Sequence, residues 1–194
     1  MPQKLTYCKA IPFMKEKDFE VHKNYHDDRY GFSIQNDNEL FCRLVLEINQ
    51  AGLSWTTILH KEKNFREAYS NFNIKKVAAY NDEDVLRLLN DAGIIRNRLK
   101  VFAAIHNATE ILKLQKEHGS FKNWLDKHYL LTKAEWVKLF KTTFRFTGGE
   151  IVNEFLMSAG YLANAHDEDC PIYKKILYNK LHGKSYKENC CYWP

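Results

Sequence analysis

The stretch from Glu47 to Trp55 constrains the fold most strongly, because it joins two amphipathic helical patterns through a glycine. Gly52 stands where the end of a helix requires a positive φ, which glycine adopts without steric penalty. Ser54 is placed to cap the following helix. Helical spacing of apolar residues on both sides supports this prediction. These residues are Leu40, Phe41, Leu44, Val45 and Ile48 before the turn, and Ile58 and Leu59 after it.

Glu47 falls in the last turn of the first of these helices, on its apolar side. Burial disfavours the charge of a carboxylate, and the negative end of the helix dipole repels it. Such a glutamate is more often functional than a surface glutamate. A structural glutamate bonded to backbone amides is the alternative. Cys42, on the apolar side of the same helix, is interpreted as a packing residue.

Composition indicates one folded domain spanning residues 1–194. The chain has 194 residues, 45% of them hydrophobic, and a net charge of +5, which is compatible with nucleic-acid binding without requiring it. Five cysteines without a signal-peptide pattern favour a reducing compartment, so a cytoplasmic location is expected. No apolar run is long enough to span a membrane. Helical periodicity dominates, and we predict an all-α fold.

Most of the predicted helices follow from periodicity and capping residues. Residues 1–24 are predicted to be largely irregular and residues 25–31 to form a loop, and Asp37 is predicted to cap the helix that carries Glu47. Helices are expected at residues 54–69, 74–78, from 82 to about 90, from about 97 to 112, at 121–125, 134–141 and 150–162. Residues 176–194 form a tail of unknown role.

Residues 89–98 predict a helical hairpin with a basic rim. Gly93 makes the turn, and a long helix begins directly afterwards. The start of a helix and a tight turn present several backbone N–H groups together, which suits a phosphate oxygen. Arg96, Arg98 and Lys100 add positive charge. The alternative is an ordinary helical hairpin with a solvated basic surface.

A metal site at the two ends of the chain is a second hypothesis. His166 and Cys170 are separated by three residues and could both reach one ion. Structural zinc normally has four ligands, and Cys8 and His26 could supply the others, with His22 as a rival ligand. Coordination would replace the hydrophobic burial that both ends lack. Coincidental placement is the alternative.

Three blocks, in this order and spacing, resemble the bacterial 3-methyladenine DNA glycosylase I family: YHDDRYG at residues 25–31, LEINQAGLSW at 46–55 and DAGIIR at 91–96. The segment from Phe146 to Cys170 is similar to the last core helix and the His-x-x-x-Cys pair of that family. The resemblance extends over roughly residues 5–175.

The resemblance implies an all-helical member of the helix-hairpin-helix glycosylase superfamily that excises 3-methyladenine from double-stranded DNA. It implies Glu47 as the pocket carboxylate, with Tyr25, Tyr30 and Trp55 around the base. Gly52 and Gly93, with Arg96, Arg98 and Lys100, would face DNA. Structural zinc would tether residues 1–30 to residues 163–175, and its ligands would be Cys8, His26, His166 and Cys170. A monofunctional monomer is expected.

The sequence departs from the family pattern at several positions. Tyr30 replaces the usual Trp, and Ile48 and Asn49 replace the usual small residue and Gln. Ala10 and Glu150 also differ from the family pattern. These departures motivate an alternative, a non-catalytic or re-purposed DNA-binding module on the same scaffold. A zinc-stabilised helical protein without a nucleic-acid role is a further alternative.

Overall fold

A computed structural model describes residues 5–181 of the chain, without the side chains of residues 180 and 181. Within these residues every regular element is a helix, which confirms the all-α prediction. The end of the tail, including Cys190 and Cys191, lies outside the described residues. No helix in the described range is long and apolar enough to cross a membrane.

The described chain forms two compact units, and one of the two boundaries between them falls inside a helix. The first unit comprises the residues up to Ile34 and those from Leu156 onward, and the second unit comprises Gln35–Phe155. The first unit contains α1 (Tyr7–Ala10), a 3-10 turn (Ile11–Phe13), α2 (Glu16–Asp28), the end of α10 and α11 (Pro171–Leu181).

The second unit contains the helices that follow from the periodicity. They are α3 (Asp37–Gln50), α4 (Trp55–Ala68), α5 (Ile74–Ala78), α6 (Asp82–Asn90), α7 (Arg98–His118), α8 (Phe121–Lys127), α9 (Lys133–Thr143) and most of α10 (Gly149–Ser158), with a 3-10 turn at Ser70–Phe72. The predicted cap Ser54 accepts a hydrogen bond from a backbone N–H of its helix, and Asn81 and Thr132 do the same at the starts of α6 and α9.

Helix α3 is the centre of the second unit. Every residue from Leu40 to Asn49 is buried, and α3 contacts α4, α5, α7 and α8. A second part of the core consists of aromatic rings, with centroids 5.2–6.4 Å apart. The rings belong to Phe121, Trp124, Trp136, Phe140, Phe144 and Phe155. This core holds α3 and the residues that follow it in place.

Three local predictions are wrong. Residues 25–28 form the last turn of α2 rather than a loop, and most of residues 5–24 are helical. The buried face of α2 consists of His22, Tyr25 and His26, so hydrophobic periodicity does not reveal it. Asp37 does not cap α3. Asn36 does so, and the Asp37 carboxylate instead accepts the backbone N–H groups of Phe121 and Lys122 at the start of α8.

Candidate active site and metal site

Glu47 lies in the last turn of α3 with only 4% of its surface exposed. Burial raises the pKa of its carboxyl from 4.5 to about 8, a change that Arg43 opposes and Glu154 on α10 reinforces. Arg43 precedes Glu47 by one helical turn and is also buried. The site therefore holds a carboxyl group that takes up a proton near neutral pH and responds to nearby charge.

A tight turn follows Glu47 and has the geometry of a type II β-turn. The Leu53 N–H donates to the Gln50 carbonyl at 2.7 Å, Ala51 has φ −53° and ψ 117°, and Gly52 has φ +82°. The predicted positive φ of Gly52 is confirmed. This turn leaves Gly52 and Leu53 exposed at the end of α3.

Lys100 stabilises this turn. Its Nζ donates to the Asn49 carbonyl at 2.9 Å and to the Ala51 carbonyl at 2.7 Å, and the residue is 5% exposed. Burial lowers the pKa of this ammonium group. Lys100 satisfies carbonyl groups at the end of α3, where a cation is favourable. Its hydrogen-bonding capacity is thus directed into the protein, unlike that of Arg96 and Arg98.

Trp55 is the first residue of α4 and is partly buried. Ser54 precedes it as the helix cap, and its side chain accepts a hydrogen bond from the Thr57 N–H at 3.2 Å. The turn and the cap together fix the position of the indole relative to the end of α3. Glu47 and Trp55 are thus held on either side of one turn within the second unit.

The α6–α7 connection is a fixed turn. The Asp91 carboxylate accepts the Gly93 N–H at 2.7 Å. From α4, Lys61 donates to the Ala92 and Gly93 carbonyls, both at 3.0 Å, and Asn64 donates to the Gly93 carbonyl at 3.3 Å. A Cβ atom on Gly93 would lie 2.9 Å from the Asp91 side chain and 3.1 Å from that of Asn64. A larger residue at position 93 would therefore have to displace these two side chains.

Arg96 and Arg98 lie exposed beside this turn, and Asn97 between them caps α7. The Arg98 guanidinium lies 5.1 Å from the centre of the Phe102 ring. Two exposed cations next to a helix start form a surface suited to anions. The structure therefore supports a basic rim formed by the two arginines.

Tyr25 and Tyr30 lie in the first unit and are buried. Their ring centres are 5.7 Å apart, and the Arg29 guanidinium lies 5.4 Å from the Tyr25 ring. Glu47 and Trp55 lie in the second unit. A common base pocket formed by all four side chains stays a prediction.

The four predicted metal ligands come together within the first unit. Their ligand atoms lie within 4.8 Å of one another. His26 Nε2 lies 3.1 Å from His166 Nδ1 and 3.2 Å from Cys8 Sγ, and Cys170 Sγ lies 3.8 Å from each imidazole. A zinc ion with bonds of about 2.0 Å to nitrogen and 2.3 Å to sulfur requires tetrahedron edges of roughly 3.3–3.8 Å. The donor set fits such an ion.

The second nitrogen of each imidazole also has a partner. His26 Nδ1 lies 2.7 Å from the Asp27 carboxylate, and His166 Nε2 donates to the Tyr30 carbonyl at 2.8 Å. Such contacts orient histidine ligands and fix the tautomer that presents the other nitrogen to a metal. Burial lowers the pKa of His166, which keeps it neutral, and raises that of the Cys8 thiol to about 11.

His22 is not part of this cluster. Its Nδ1 lies 2.9 Å from the Tyr7 hydroxyl, and the ring packs edge-on against the Tyr7 ring. Of the two rival N-terminal ligands, the structure places Cys8 with His26, His166 and Cys170. Cys42 is fully buried in α3, as its position on the apolar side indicates.

Residues 15–138 match the family model described as methyladenine glycosylase. The chain belongs to the methyladenine glycosylase family. It is 34% identical over 168 residues to DNA-3-methyladenine glycosylase 1 of Escherichia coli (strain K12), a match that covers 77% of this chain and 89% of the relative.

Solved structures of 3-methyladenine DNA glycosylase I are similar over most of the chain. One is a Tyr-to-Phe variant in complex with 3-methyladenine, with 32% identity and a TM-score of 0.74, covering 82% of this chain and 97% of that one. Another is a Glu-to-Gln variant from Staphylococcus aureus, with 31% identity and a TM-score of 0.75, covering 84% and 95%. The resemblance read from the three sequence blocks is confirmed.

Some residues around the candidate site were missed by the sequence reasoning. Arg43 stands four residues before Glu47, on the same helical face, and that spacing could have identified it. Glu154 is more than a hundred positions away, and no local pattern links it to Glu47. Lys61 and Asn64 likewise support the Gly93 turn from another helix, so only the fold identifies them.

Proposed function

We propose that this protein hydrolytically excises 3-methyladenine from alkylated double-stranded DNA. The observation that carries the proposal is the buried carboxyl of Glu47 at the end of α3, directly before the Gly52 turn, in a chain of this family. The solved relative that binds 3-methyladenine supports the choice of base.

The chemistry of the lesion explains what such a site has to do. N3-methylation places a positive charge on the base in DNA, so its glycosidic bond is already weakened and little acid catalysis is needed. The enzyme instead has to capture the flipped base selectively. As a carboxylate, Glu47 complements the positive ring and accepts a hydrogen bond from the exocyclic amine. A neutral adenine lacks that charge, so the difference in binding provides the selectivity.

Aromatic residues complete the proposed pocket. Trp55 stacks on the base, with a cation–π contribution of about 0.5–2 kcal/mol. Tyr25 supplies the tyrosine of the family pattern and bonds a ring nitrogen or positions water, and Tyr30 supplies a second aromatic ring. Tyr30 in place of Trp, with Ile48 and Asn49, motivates the alternative of a DNA-binding module without catalysis on this scaffold.

DNA contact is proposed at the two turns of the second unit. Gly52 allows the turn after α3 to approach the DNA backbone closely, and Gly93 does the same for the α6–α7 turn. Arg96 and Arg98 are the phosphate-binding cations of our proposal. Lys100 contributes to DNA contact indirectly. It stabilises the end of α3, since its ammonium group is bonded to two carbonyls there.

The metal is proposed to be one zinc ion held by Cys8, His26, His166 and Cys170. Four protein ligands leave no open position for substrate, so the ion would be structural. Its role is to join segments separated by about 140–160 positions in the sequence. Cytoplasmic location and a monomeric state stay predictions.

The test is release of free 3-methyladenine from methylated DNA by the wild type, Glu47→Gln and Trp55→Ala. We expect release by the wild type and a loss of at least about a hundredfold in Glu47→Gln, because the amide does not complement the cationic base. No release by folded protein that still binds DNA would favour the non-catalytic alternative.

We also propose that the enzyme is monofunctional and leaves an abasic site. No lysine stands out in the α6–α7 turn as a Schiff-base nucleophile, since Lys100 is bonded to backbone carbonyls. Borohydride treatment during turnover should therefore trap no covalent enzyme–DNA adduct. A trapped adduct would overturn this part of the proposal.

A further inference from the structure

The loop between α9 and α10 forms a well-ordered surface that contributes no residue to the proposed base pocket. We call residues 144–148 the Phe146 loop. A cavity of about 550 Å³ lies there, lined by this loop together with Lys141 and Ile151. It lies entirely within the second unit, as do Glu47 and the Gly93 turn.

The Phe146 loop is held by hydrogen bonds. Asn107, fully buried in α7, accepts the Arg145 N–H at 2.8 Å and donates its amide to the Arg145 carbonyl at 3.1 Å. The buried Thr147 hydroxyl lies 3.1 Å from the Phe140 carbonyl and 3.2 Å from that of Phe144. The backbone is therefore fixed before any partner binds, which lowers the entropic cost of binding.

Phe146 is strained within this loop. Its φ is +60°, in the left-handed region that is unfavourable for a residue with a side chain. The fixed backbone nevertheless holds the ring in a position that is 37% exposed. Strain at an exposed aromatic residue is a pattern typical of binding sites.

Two cations line the same cavity as the Phe146 ring. Lys141 and Arg145 are exposed, and within residues 5–181 neither side chain has a carboxylate partner. The nearby Glu150 carboxylate, 88% exposed, lies 3.8 Å from Lys133 instead. The surface thus combines positive charge with an accessible ring, the combination that binds nucleic-acid backbones and bases.

Lys100 connects this surface to the proposed site. Its Nζ lies 5.8 Å from the centre of the Phe146 ring while it donates to the carbonyls of Asn49 and Ala51. Lys100 itself stands in the first turn of α7, directly after Arg98 and Leu99. The Phe146 loop, the Gly52 turn and the start of α7 therefore meet around one ammonium group.

We propose that the Phe146 loop is a further DNA-contacting surface of this protein. Lys141 and Arg145 bind phosphates of the strand that passes the Gly52 turn, and the Phe146 ring packs against a deoxyribose or a base of that strand. The choice of DNA as partner rests on the proposed function, and the charge of the surface is complementary to it.

The experiment measures the dissociation constant for a labelled duplex with an abasic-site analogue, by fluorescence anisotropy, between about 50 and 200 mM salt. Lys141→Gln combined with Arg145→Gln should lower the slope of log Kd against log salt by about 1.8, or 0.9 for each lost phosphate contact. Phe146→Gly relieves the backbone strain, so it should fold, and should weaken binding by about tenfold with the slope unchanged.

The matched control is Lys75→Gln combined with Lys76→Gln, which removes two exposed lysines from α5. It should leave the slope within about 0.5 of the wild-type value. Unchanged affinity and slope in both loop variants would overturn the proposal. Base release is measured on the same preparations. Loop-dependent binding without any base release would support the surface while overturning the proposed function.

Discussion

At the scale of the residue, Glu47 is set apart by its environment rather than by its type. Burial is the main cause of its raised pKa, Arg43 opposes that change, and Glu154 adds to it. At neutral pH the free protein therefore holds much of Glu47 as the neutral acid. A cationic base favours the carboxylate, so binding of the lesion releases a proton and should strengthen as the pH rises toward 8.

The same pKa has a consequence for stability. The folded-state pKa of about 8 exceeds the ordinary carboxyl pKa of 4.5, so between these values the native state binds more protons than the unfolded state. The contribution of Glu47 to the free energy of unfolding is fully present below pH 4.5 and is lost as the pH rises through 8. The difference between the two pKa values corresponds to about 5 kcal/mol of free energy of unfolding.

Glu47→Gln should therefore raise Tm, and by more at pH 9 than at pH 6, because the amide removes a carboxylate that is costly to bury. Thermal denaturation across this pH range measures the effect. A matched control is Glu117→Gln, which changes a carboxylate that is 68% exposed and should leave the pH dependence unchanged. An equal Tm difference at both pH values would contradict the raised pKa.

Glu154 offers a second test at this scale. Its charge raises the pKa of Glu47, so Glu154→Gln should lower that pKa below about 8. The Glu47 carboxyl carbon, followed by NMR in selectively labelled protein, reports the titration midpoint. The pH at which binding of the lesion reaches its plateau should decrease in parallel. A midpoint that stays in place would mean that Glu154 is too well solvated to act on Glu47.

At the scale of the element, Asp37 joins three helices. It lies in the first turn of α3, and its carboxylate accepts the Phe121 and Lys122 N–H groups of α8 at 2.7 and 3.0 Å. Gln115 of α7 donates to the same carboxylate at 2.6 Å. Asp37→Ala should lower the free energy of unfolding by about 1–3 kcal/mol, since three hydrogen bonds to partly buried partners are lost together.

Urea denaturation measures this change, and Asp82→Ala is its control. Asp82 also occupies the first position of a helix, α6, but it is exposed. Its substitution should cost no more than about 0.5 kcal/mol. Equal losses for the two variants would show that Asp37 acts only through the dipole of α3.

Gly93 is the corresponding test for the turn between α6 and α7. A methyl group there meets Asp91 and Asn64 at 2.9 and 3.1 Å, so Gly93→Ala should displace the turn. DNA affinity should fall by about tenfold or more, because the backbone N–H groups lose their positions. Gly149→Ala, whose added methyl would lie 4.0 Å from Val137, provides a control for stability. Unchanged DNA affinity in Gly93→Ala would contradict the assignment of this turn.

How far the sequence predicts these elements depends on what each helix buries. Helices α3 to α10 bury apolar faces and carry caps such as Ser54 and Thr132, so periodicity and caps locate them. Helix α2 buries histidines and a tyrosine, and periodicity misses it. The role of Asp37 depends on α8, more than eighty residues away, and no local pattern encodes such a contact.

At the scale of the whole molecule, the first unit is built from both ends of the described chain. Its shared centre contains the imidazoles of His26 and His166, with ring centres 4.5 Å apart, and two thiols. Polar ligands in that position do not provide the driving force of an apolar core. A bound metal would supply it, because the binding free energy contributes directly to folding.

Removal of zinc should therefore destabilise the protein strongly. The expected content is one zinc per chain by elemental analysis, and chelation should lower Tm by about 5 °C or more. His26→Ala and Cys170→Ala should each abolish stoichiometric binding. His22→Gln provides the control, because His22 contacts Tyr7 and lies outside the ligand cluster, so this variant should keep its zinc. Full zinc content in Cys170→Ala, or loss of zinc in His22→Gln, would overturn the ligand set and with it the metal link between the two ends.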